Sequence, residues 1–383
     1  MNNHICHVLN HLNMGGAEKY VVQLANHLAH TGHKVSIIAG DPQHLRDQCN
    51  HNVHIEILNL HPASAPSIWS YLNGLMGSIR YLIKFFQNND VNVVHTHLAA
   101  SALPAWIAAK YCGIPVLHSR MYAGNIGSRY ERILFASPLP RMLVHKFLVF
   151  TRYLAREVQR DWRIHPDNIL ISSIGVETSH FDVVQNQEKS IRSNFDLTPK
   201  DRVILVVARL HPEKDVELAI RTVALLDDPN TVLIIAGEGE QQEYLQNLWE
   251  NLTSRSTVKF LGLLSDPRTA YAVSDVLLQT SRSPNLGTVV LEAFSSSLPV
   301  IIAYRDDDER KMAEDTFGEL GTEWIAPADP KQLASLLSKF FDVSEDHAVL
   351  GAKVRAFVQR RHSKHSVYGE MIEIYKSMRA DKS

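Results

Sequence analysis

Cysteine is scarce in this chain: Cys6, Cys49 and Cys112 are the three thiols among 383 residues. Their odd number and wide spacing exclude a disulfide framework and a metal-ligand motif, and suit a reducing compartment. Long apolar runs are also missing, since no stretch reaches the ~18–20 uncharged residues that a membrane span needs. The opening, MNNHICHVLNHL, has neither the basic start nor the continuous apolar centre of a signal peptide. A cytoplasmic location is expected. Neither sign of charge is in excess, the net value being −2, so nucleic acid is not an expected partner. There is no short-period repeat, low-complexity tract or G-x-G-x-x-G, which disfavours a solenoid, a disordered chain and a dinucleotide cofactor.

What is present is ordinary globular composition, 45% hydrophobic and 21% charged. At this length two domains, or one large α/β unit, are expected. Residues 1–183 carry 15 Lys and Arg against 11 Asp and Glu, and the remainder 24 against 30. A mildly basic first half beside an acidic second half hints at an anionic surface near the first.

The apolar pattern alternates between strands and helices. Ile5–Leu9 is a strand, Asn13 to Glu18 a loop, and Val21, Val22, Leu24, Ala25, Leu28 and Ala29 mark one buried face of a helix. Thr31-Gly32-His33 stops it and Lys34–Ala39 is the next strand. A strand–helix–strand unit of this size implies parallel strands joined by a right-handed crossover. The rhythm continues with strands at Val91–His95, Ile114–His118, Phe147–Phe150 and Ile169–Ile171. Residues 183–200 are polar and read as a linker. Strands then recur at Val203–Ala208, Val232–Ala236, Val258–Leu261, Val276–Gln279 and Val300–Ala303, with a last helix near 365–379. Continuous apolar strands separated by helices predict two doubly wound sheets, each covered on both faces.

Ligands of such folds bind at the carboxyl ends of strands, which selects a few loops. Gly15-Gly16 lets backbone N–H groups approach an anion at a helix start, or is simply a tight turn. Arg209 and Lys214 stand five residues apart at a strand-to-helix junction, a spacing that can close two cations on one diphosphate. Gly287 opens a helix followed by Thr288 and Val289, and Glu292 lies about one and a half turns inside it. A carboxylate among Val, Leu, Ala and Phe needs a partner if it is buried, and ribose hydroxyls would serve; an exposed helix position is the plainer alternative.

Taken in order, Gly15-Gly16-Ala17-Glu18, His95-Thr96-His97, Arg209…Glu213-Lys214, Gly237-Glu238-Gly239, Phe260-Leu261-Gly262, Ser274-Asp275-Val276 and Gly287…Leu291-Glu292-Ala293 form a pattern. With these motifs the chain resembles, nearly end to end, a family 4 retaining glycosyltransferase of the GT-B fold, of the bacterial polysaccharide or lipopolysaccharide type. The resemblance implies two Rossmann-like domains facing a cleft. Residues 1–183 would be the acceptor domain, joined by a returning helix at 364–383, and 184–363 the nucleotide-sugar donor domain. It implies that Arg209 and Lys214 hold the donor diphosphate and stabilise its departure, and that Glu292 binds ribose. The base would pack near Gly237, Glu238 and Leu261, the sugar-phosphate against Gly15 and Gly16, and helix N–H groups from Gly287, Thr288 and Val289 would hold phosphate. His118 is expected in catalysis, with His97 and Arg120 on the acceptor side. The donor would be a UDP-sugar, used without metal or other cofactor, and the acceptor a glycan or lipid-linked saccharide.

Some positions depart from the family pattern. Pro284 stands where the first of two paired glutamates is usual, and Arg120 replaces a common His. Ile174-Gly175 replaces an Asn-Gly turn, and Tyr304-Arg305-Asp306-Asp307-Asp308-Glu309 replaces a Gly-rich loop ending in Glu. Asp306 and Asp308 formally make an Asp-x-Asp metal motif, with a solvated loop, or stand-ins for the missing Glu, as the other readings. His95 and His97 point one way from a strand end, without a third metal ligand at a convincing spacing. Residues 129–163 carry eight basic residues (Arg129, Arg132 and Arg141 among them) against three acidic, interleaved with apolar ones. That segment suits an anionic membrane surface or an ordinary solvated face. A UDP-sugar epimerase and a non-catalytic sugar-nucleotide-binding protein are the rival functions.

Overall fold

The computed structural model describes residues 3–13, 16–41, 44–58, 60, 68–97, 101–121, 129–182, 192–282, 287–342 and 347–380. Two compact units result: Met1–Gly175 with His365–Ser383, and Val176–Lys364. The division falls at Gly175, ahead of the polar stretch at 183–200. The reason is local pairing: Val176 bridges Ser363, and Phe181 packs edge-on against Tyr271.

The first unit contains β1 (His4–His11), α1 (Gly16–His30), β2 (Lys34–Gly40), β3 (Val53–Ile57), α2 (Ile68–Asn88), β4 (Val93–His97) and α3 (Ala102–Tyr111). It continues with β5 (Val116–Arg120), α4 (Arg129–Ala136), α5 (Leu139–Leu143), β6 (Lys146–Val149), α6 (Arg152–Trp162) and β7 (Ile169–Ile171). The strands form one sheet in the order β3-β2-β1-β4-β5-β6-β7, with every pair parallel. β3 is not among the strands read from the sequence, because His54 and Glu56 break its apolar run. β4 runs to His97 rather than ending at His95, since Thr96 and His97 pair with His118 and Ser119 of β5. Thr151 caps α6 by accepting the Leu154 N–H at 3.0 Å, and Arg163 ends that helix in the left-handed region.

The second unit contains β8 (Arg202–Val207), α7 (Val216–Leu226), β9 (Thr231–Ala236), α8 (Gln242–Glu250), β10 (Thr257–Gly262) and α9 (Arg268–Val273). After these come β11 (Val276–Gln279), α10 (Thr288–Ser295), β12 (Val300–Tyr304), α11 (Asp307–Phe317), β13 (Ile325–Pro327), α12 (Pro330–Asp342) and α13 (His347–His362). Its parallel sheet has the order β10-β9-β8-β11-β12-β13. The strand order reverses between β1 and β4 in one sheet and between β8 and β11 in the other, the places where doubly wound folds leave a crevice.

A last helix, α14 (Lys364–Ala380), belongs to the first unit from His365 onward. Val367, Tyr368, Met371, Tyr375 and Met378 lie on its buried face, in one cluster with β1, α1 and β2. Burial of each such side chain contributes about 1.5–3 kcal/mol relative to exposure.

Beneath α14 the first unit buries histidines instead of aliphatic residues. His7 of β1 stands in register beside His95 of β4, and His97 follows two residues on. The Nδ1 of His7 lies 3.0 Å from Nε2 of His97. His95 is bonded on both sides, 2.7 Å from the Tyr375 hydroxyl and 2.6 Å from that of Ser119. His118 contacts Thr96 Oγ1 at 2.9 Å, and its ring is enclosed by Trp106, Phe135, Phe147 and Trp162. Loss of solvent around the charged form lowers the pKa of His7 and His118 to about 3, and pushes His95 and His97 well below their ordinary value.

All four rings are therefore neutral in the folded chain, and each takes up a proton near pH 6.5 once unfolded. The unfolded chain then binds more protons below that pH. Stability present above pH 6.5 is lost as pH drops below that value, down to about pH 3 for His7 and His118. Urea titrations between pH 7 and pH 5 should give a steep acid loss in the first unit. His7→Phe and His118→Phe should each flatten that slope; an unchanged slope in both would assign it to other groups.

Candidate functional site

At the carboxyl edge of the second sheet, the turn after β8 carries Arg209 and Lys214. Backbone bonds fix this turn on one side. The Ala208 and Leu210 N–H groups donate to Ala236 and Glu238 at 3.0 and 2.9 Å, and the Gln241 N–H donates back to the Leu210 carbonyl at 3.1 Å. Two glycines permit the approach. A Cβ on Gly237 (φ 142°) would stand 1.9 Å from the Ala208 carbonyl oxygen, and one on Gly239 would stand 2.4 Å from that of Leu210. The Gly237 N–H in turn donates to the Gly262 carbonyl at 2.8 Å, which brings Leu261, half-buried, to the same edge.

On the other side the turn is tied to β11. Thr280 Oγ1 donates to the Lys214 carbonyl at 2.9 Å, and the Arg282 N–H to that of Glu213 at 2.8 Å. His211 caps the short helical turn Pro212–Lys214 by accepting the Glu213 N–H at 3.3 Å. Arg209 is exposed and Lys214 half-buried. Among the described residues neither side chain has a hydrogen-bond or ion-pair partner, and the same holds for the exposed carboxylate of Glu238.

Gly287 stands at the N-cap of α10 in extended backbone, with Thr288 exposed and Val289 half-buried on the first turn. Glu292, expected to bind ribose, is half-buried, and the Tyr271 hydroxyl donates to its Oε2 at 2.7 Å. Burial, with this carboxylate beside it, raises the Tyr271 pKa well above its ordinary value, so the phenol keeps its proton. The sequence signal for Tyr271 was weak, since it comes from α9 and not from a motif. Asp306 is a helix cap, its Oδ1 accepting the Glu309 N–H at 2.8 Å, and Asp307 and Asp308 are exposed in the first turn of α11. Three acids at a helix start match its partial positive charge. The Asp306…Glu309 spacing could have been read as a cap.

In the first unit, Gly16 is the exposed first residue of α1, and Glu18 behind it is buried with Oε1 3.2 Å from His11 Nδ1. Gly15 and Pro284 lie outside the described residues, as does the side chain of Arg129. Three of the expected residues are placed against the core of this unit. His118 is buried among aromatic rings. His97 is fully buried against His7 and His95. Arg120 lies over the Trp162 ring at 4.6 Å and pairs with Glu157 at 3.1 Å, so it is a core-edge ion pair. His7 is the third histidine that spacing along the chain could not reveal; the three rings offer nitrogens within 4.8 Å of one another.

Residues 14–180 match the family described as Glycosyltransferase Family 4, and residues 187–357 that described as Glycosyl transferases group 1. An uncharacterized glycosyltransferase of Methanocaldococcus jannaschii, MJ1607, is 22% identical over 95% of this chain and 94% of its own. The alpha-monoglucosyldiacylglycerol synthase of Streptococcus pneumoniae is 24% identical over 60% of this chain and 56% of its own. Among solved structures, Anabaena Alr3699/HepE, determined in complex with UDP, superposes with a TM-score of 0.78 at 16% identity, covering 98% of this chain and 100% of its own. Two Rossmann-like units of GT-B type, matched family by family along nearly the whole chain, make this protein a glycosyltransferase of family 4.

Proposed function

We propose that this enzyme moves a sugar from a UDP-sugar to a glycan or lipid-linked saccharide, with retention at the anomeric carbon. The observation that carries the donor half is the pair Arg209 and Lys214. Two cations on one backbone-braced turn, next to the reversal in strand order, have no partner among the described residues. The two negative charges of a nucleotide-sugar diphosphate balance them. Gly287, Thr288 and Val289 add helix N–H groups, and Glu238 and Leu261 border the base. The UDP complex of Alr3699/HepE supports the choice of nucleotide. As the sugar–phosphate bond breaks, charge grows on the departing diphosphate, and fixed cations and N–H dipoles stabilise it. That charge is met by protein groups and Asp306 is spent on its helix, so the reaction is proposed to need no divalent ion.

The acceptor half rests on the surface of the first unit. Ile133 and Met142 are 62% and 64% exposed, next in the chain to exposed Arg132 and Arg141, and Arg152 of the same unit is also exposed. On α2, exposed Trp69, Leu72 and Met76 follow one face, continued by exposed Arg80 and Lys84. Apolar side chains next to cations suit an anionic bilayer, as a lipid-linked acceptor at the inner membrane face requires. The name of the pneumococcal relative, a diacylglycerol-glucoside synthase, is in keeping with that chemistry. Among the described residues no helix is long and apolar enough to cross a membrane.

Arg209→Ala and Lys214→Ala should each weaken UDP binding in calorimetry by about 1.5–3 kcal/mol. Excess chelator should leave turnover intact. Normal affinity in both variants would overturn the donor site, and loss of turnover restored by manganese would overturn metal independence. Cosedimentation with anionic vesicles should be measurable at low salt and fall steeply as salt rises. Each cation near the surface contributes about 1 kcal/mol over a Debye length of about 8 Å at physiological salt. Arg132→Glu with Arg152→Glu should abolish it; equal binding to neutral vesicles, or none to either, would favour a soluble acceptor.

A further inference from the structure

Asp215 sits at the N-cap of α7 with a left-handed backbone (φ 47°), a conformation that L side chains rarely adopt. Its carboxylate does not cap that helix. It faces Arg305, which lies beyond β12 and 90 residues away, and Arg282 at 3.7 Å. The same Arg305 Nη2 donates to the Thr280 carbonyl at 2.7 Å, while Nη1 reaches Glu309 Oε2 at 3.3 Å and the Ser281 carbonyl at 3.4 Å. Glu309 also accepts the Arg305 N–H at 2.8 Å. Thr280, held in this way, donates its hydroxyl to the carbonyl of Lys214.

One guanidinium thus laces together three strand ends: the turn after β8, the end of β11 and the end of β12. Arg305, Asp215 and Glu309 are largely shielded, with side-chain exposures of 20%, 19% and 11%, while Arg282 is exposed at the rim. A planar fork with five donors can satisfy this many acceptors at once; a lysine in its place cannot. Charge is balanced within the cluster, because Asp215 and Glu309 offset Arg305 and Arg282. Among the described residues Arg209 and Lys214 have no ion-pair partner.

We infer that Arg305 is a positioning residue for the donor diphosphate, acting through Asp215 and Thr280 to hold Lys214 against the end of β11. It does so in the segment where this sequence departs from the Gly-rich loop of its family. The inference rests on the donor reading given above, that Lys214 meets the diphosphate. Arg305 need not touch the ligand; its task is to keep a flexible lysine on a rigid backbone, so that little order is lost on binding.

A double-mutant cycle separates this role from general support of the fold. UDP affinity is measured by calorimetry for the full chain, Arg305→Gln, Arg305→Lys, Lys214→Ala and the Arg305→Gln/Lys214→Ala pair, with urea midpoints as a folding control. Arg305→Gln should weaken UDP about tenfold, a size typical of groups in one network, and Arg305→Lys less so. In the Lys214→Ala background the effect of Arg305→Gln should shrink to below about twofold. A tenfold loss that persists without Lys214, or normal affinity in Arg305→Gln when Lys214→Ala is impaired, overturns the positioning role alone. Normal affinity in Lys214→Ala overturns the donor reading and the inference with it. Should Arg305→Gln not fold, the cycle is run with Asp215→Asn under the same criteria.

Discussion

The second unit depends on a contact between two pieces of backbone. The Ala208 carbonyl occupies the space where any side chain at position 237 would begin. Because nothing but hydrogen fits there, the loop after β9 lies directly on the loop after β8, and their N–H and carbonyl groups pair from Ala208 to Gln241. A backbone-to-backbone seam is stiffer than one made of side chains, which must give up rotamer freedom to hold a position. Arg209 is carried on that seam with its guanidinium left to solvent. The opposite side of the same turn is held by side chains, from Thr280 and Arg305, so the two cations are fixed by different means.

The first unit is organised around neutral polar rings. A parallel sheet covered on both faces ordinarily fills with aliphatic residues. Here His7, His95, His97 and His118 take those places, and hydroxyls from Ser119, Tyr375 and Thr96 satisfy much of their hydrogen-bonding capacity. Burial keeps the rings uncharged, which suits packing against Tyr20, Trp106 and Phe135 but, among the described residues, leaves His7 Nε2 and His97 Nδ1 without a hydrogen-bond partner. Such groups cost stability compared with aliphatic ones.

Much of the fold is legible in the sequence because parallel strands buried on both faces read as continuous apolar runs. Val203 to Val207, Leu233 to Ala236 and Val300 to Ala303 leave few other conformations for such segments. The same property hides side-chain roles. Along β5 both faces are covered, so Leu117, His118 and Ser119 are all buried, and a polar residue near the strand end does not reveal whether it faces a ligand or the core. That is why His118 reads as functional and stands among aromatic rings. Arg209 and Lys214 are legible as a pair because a junction motif places both in one short turn. Asp215, Tyr271 and Arg305 are not, since their partners lie 21 to 90 residues away and no spacing rule links them. β3 is missed for a simpler reason: two polar residues in five break the run by which strands are recognised.

The last helix gives the chain an order of assembly. Val367, Met371 and Tyr375 complete a core whose other walls, β1, α1 and β2, emerge from the ribosome more than three hundred residues earlier. Residues 176–364 are contiguous, so the second unit has all its parts before the first does. At ~5–20 residues per second, the strands of the first sheet wait roughly ten to forty seconds for the part of their core that α14 supplies. During that interval the part of the core that Met371 and Tyr375 cover is open to water and to chaperones, and docking of α14 closes it.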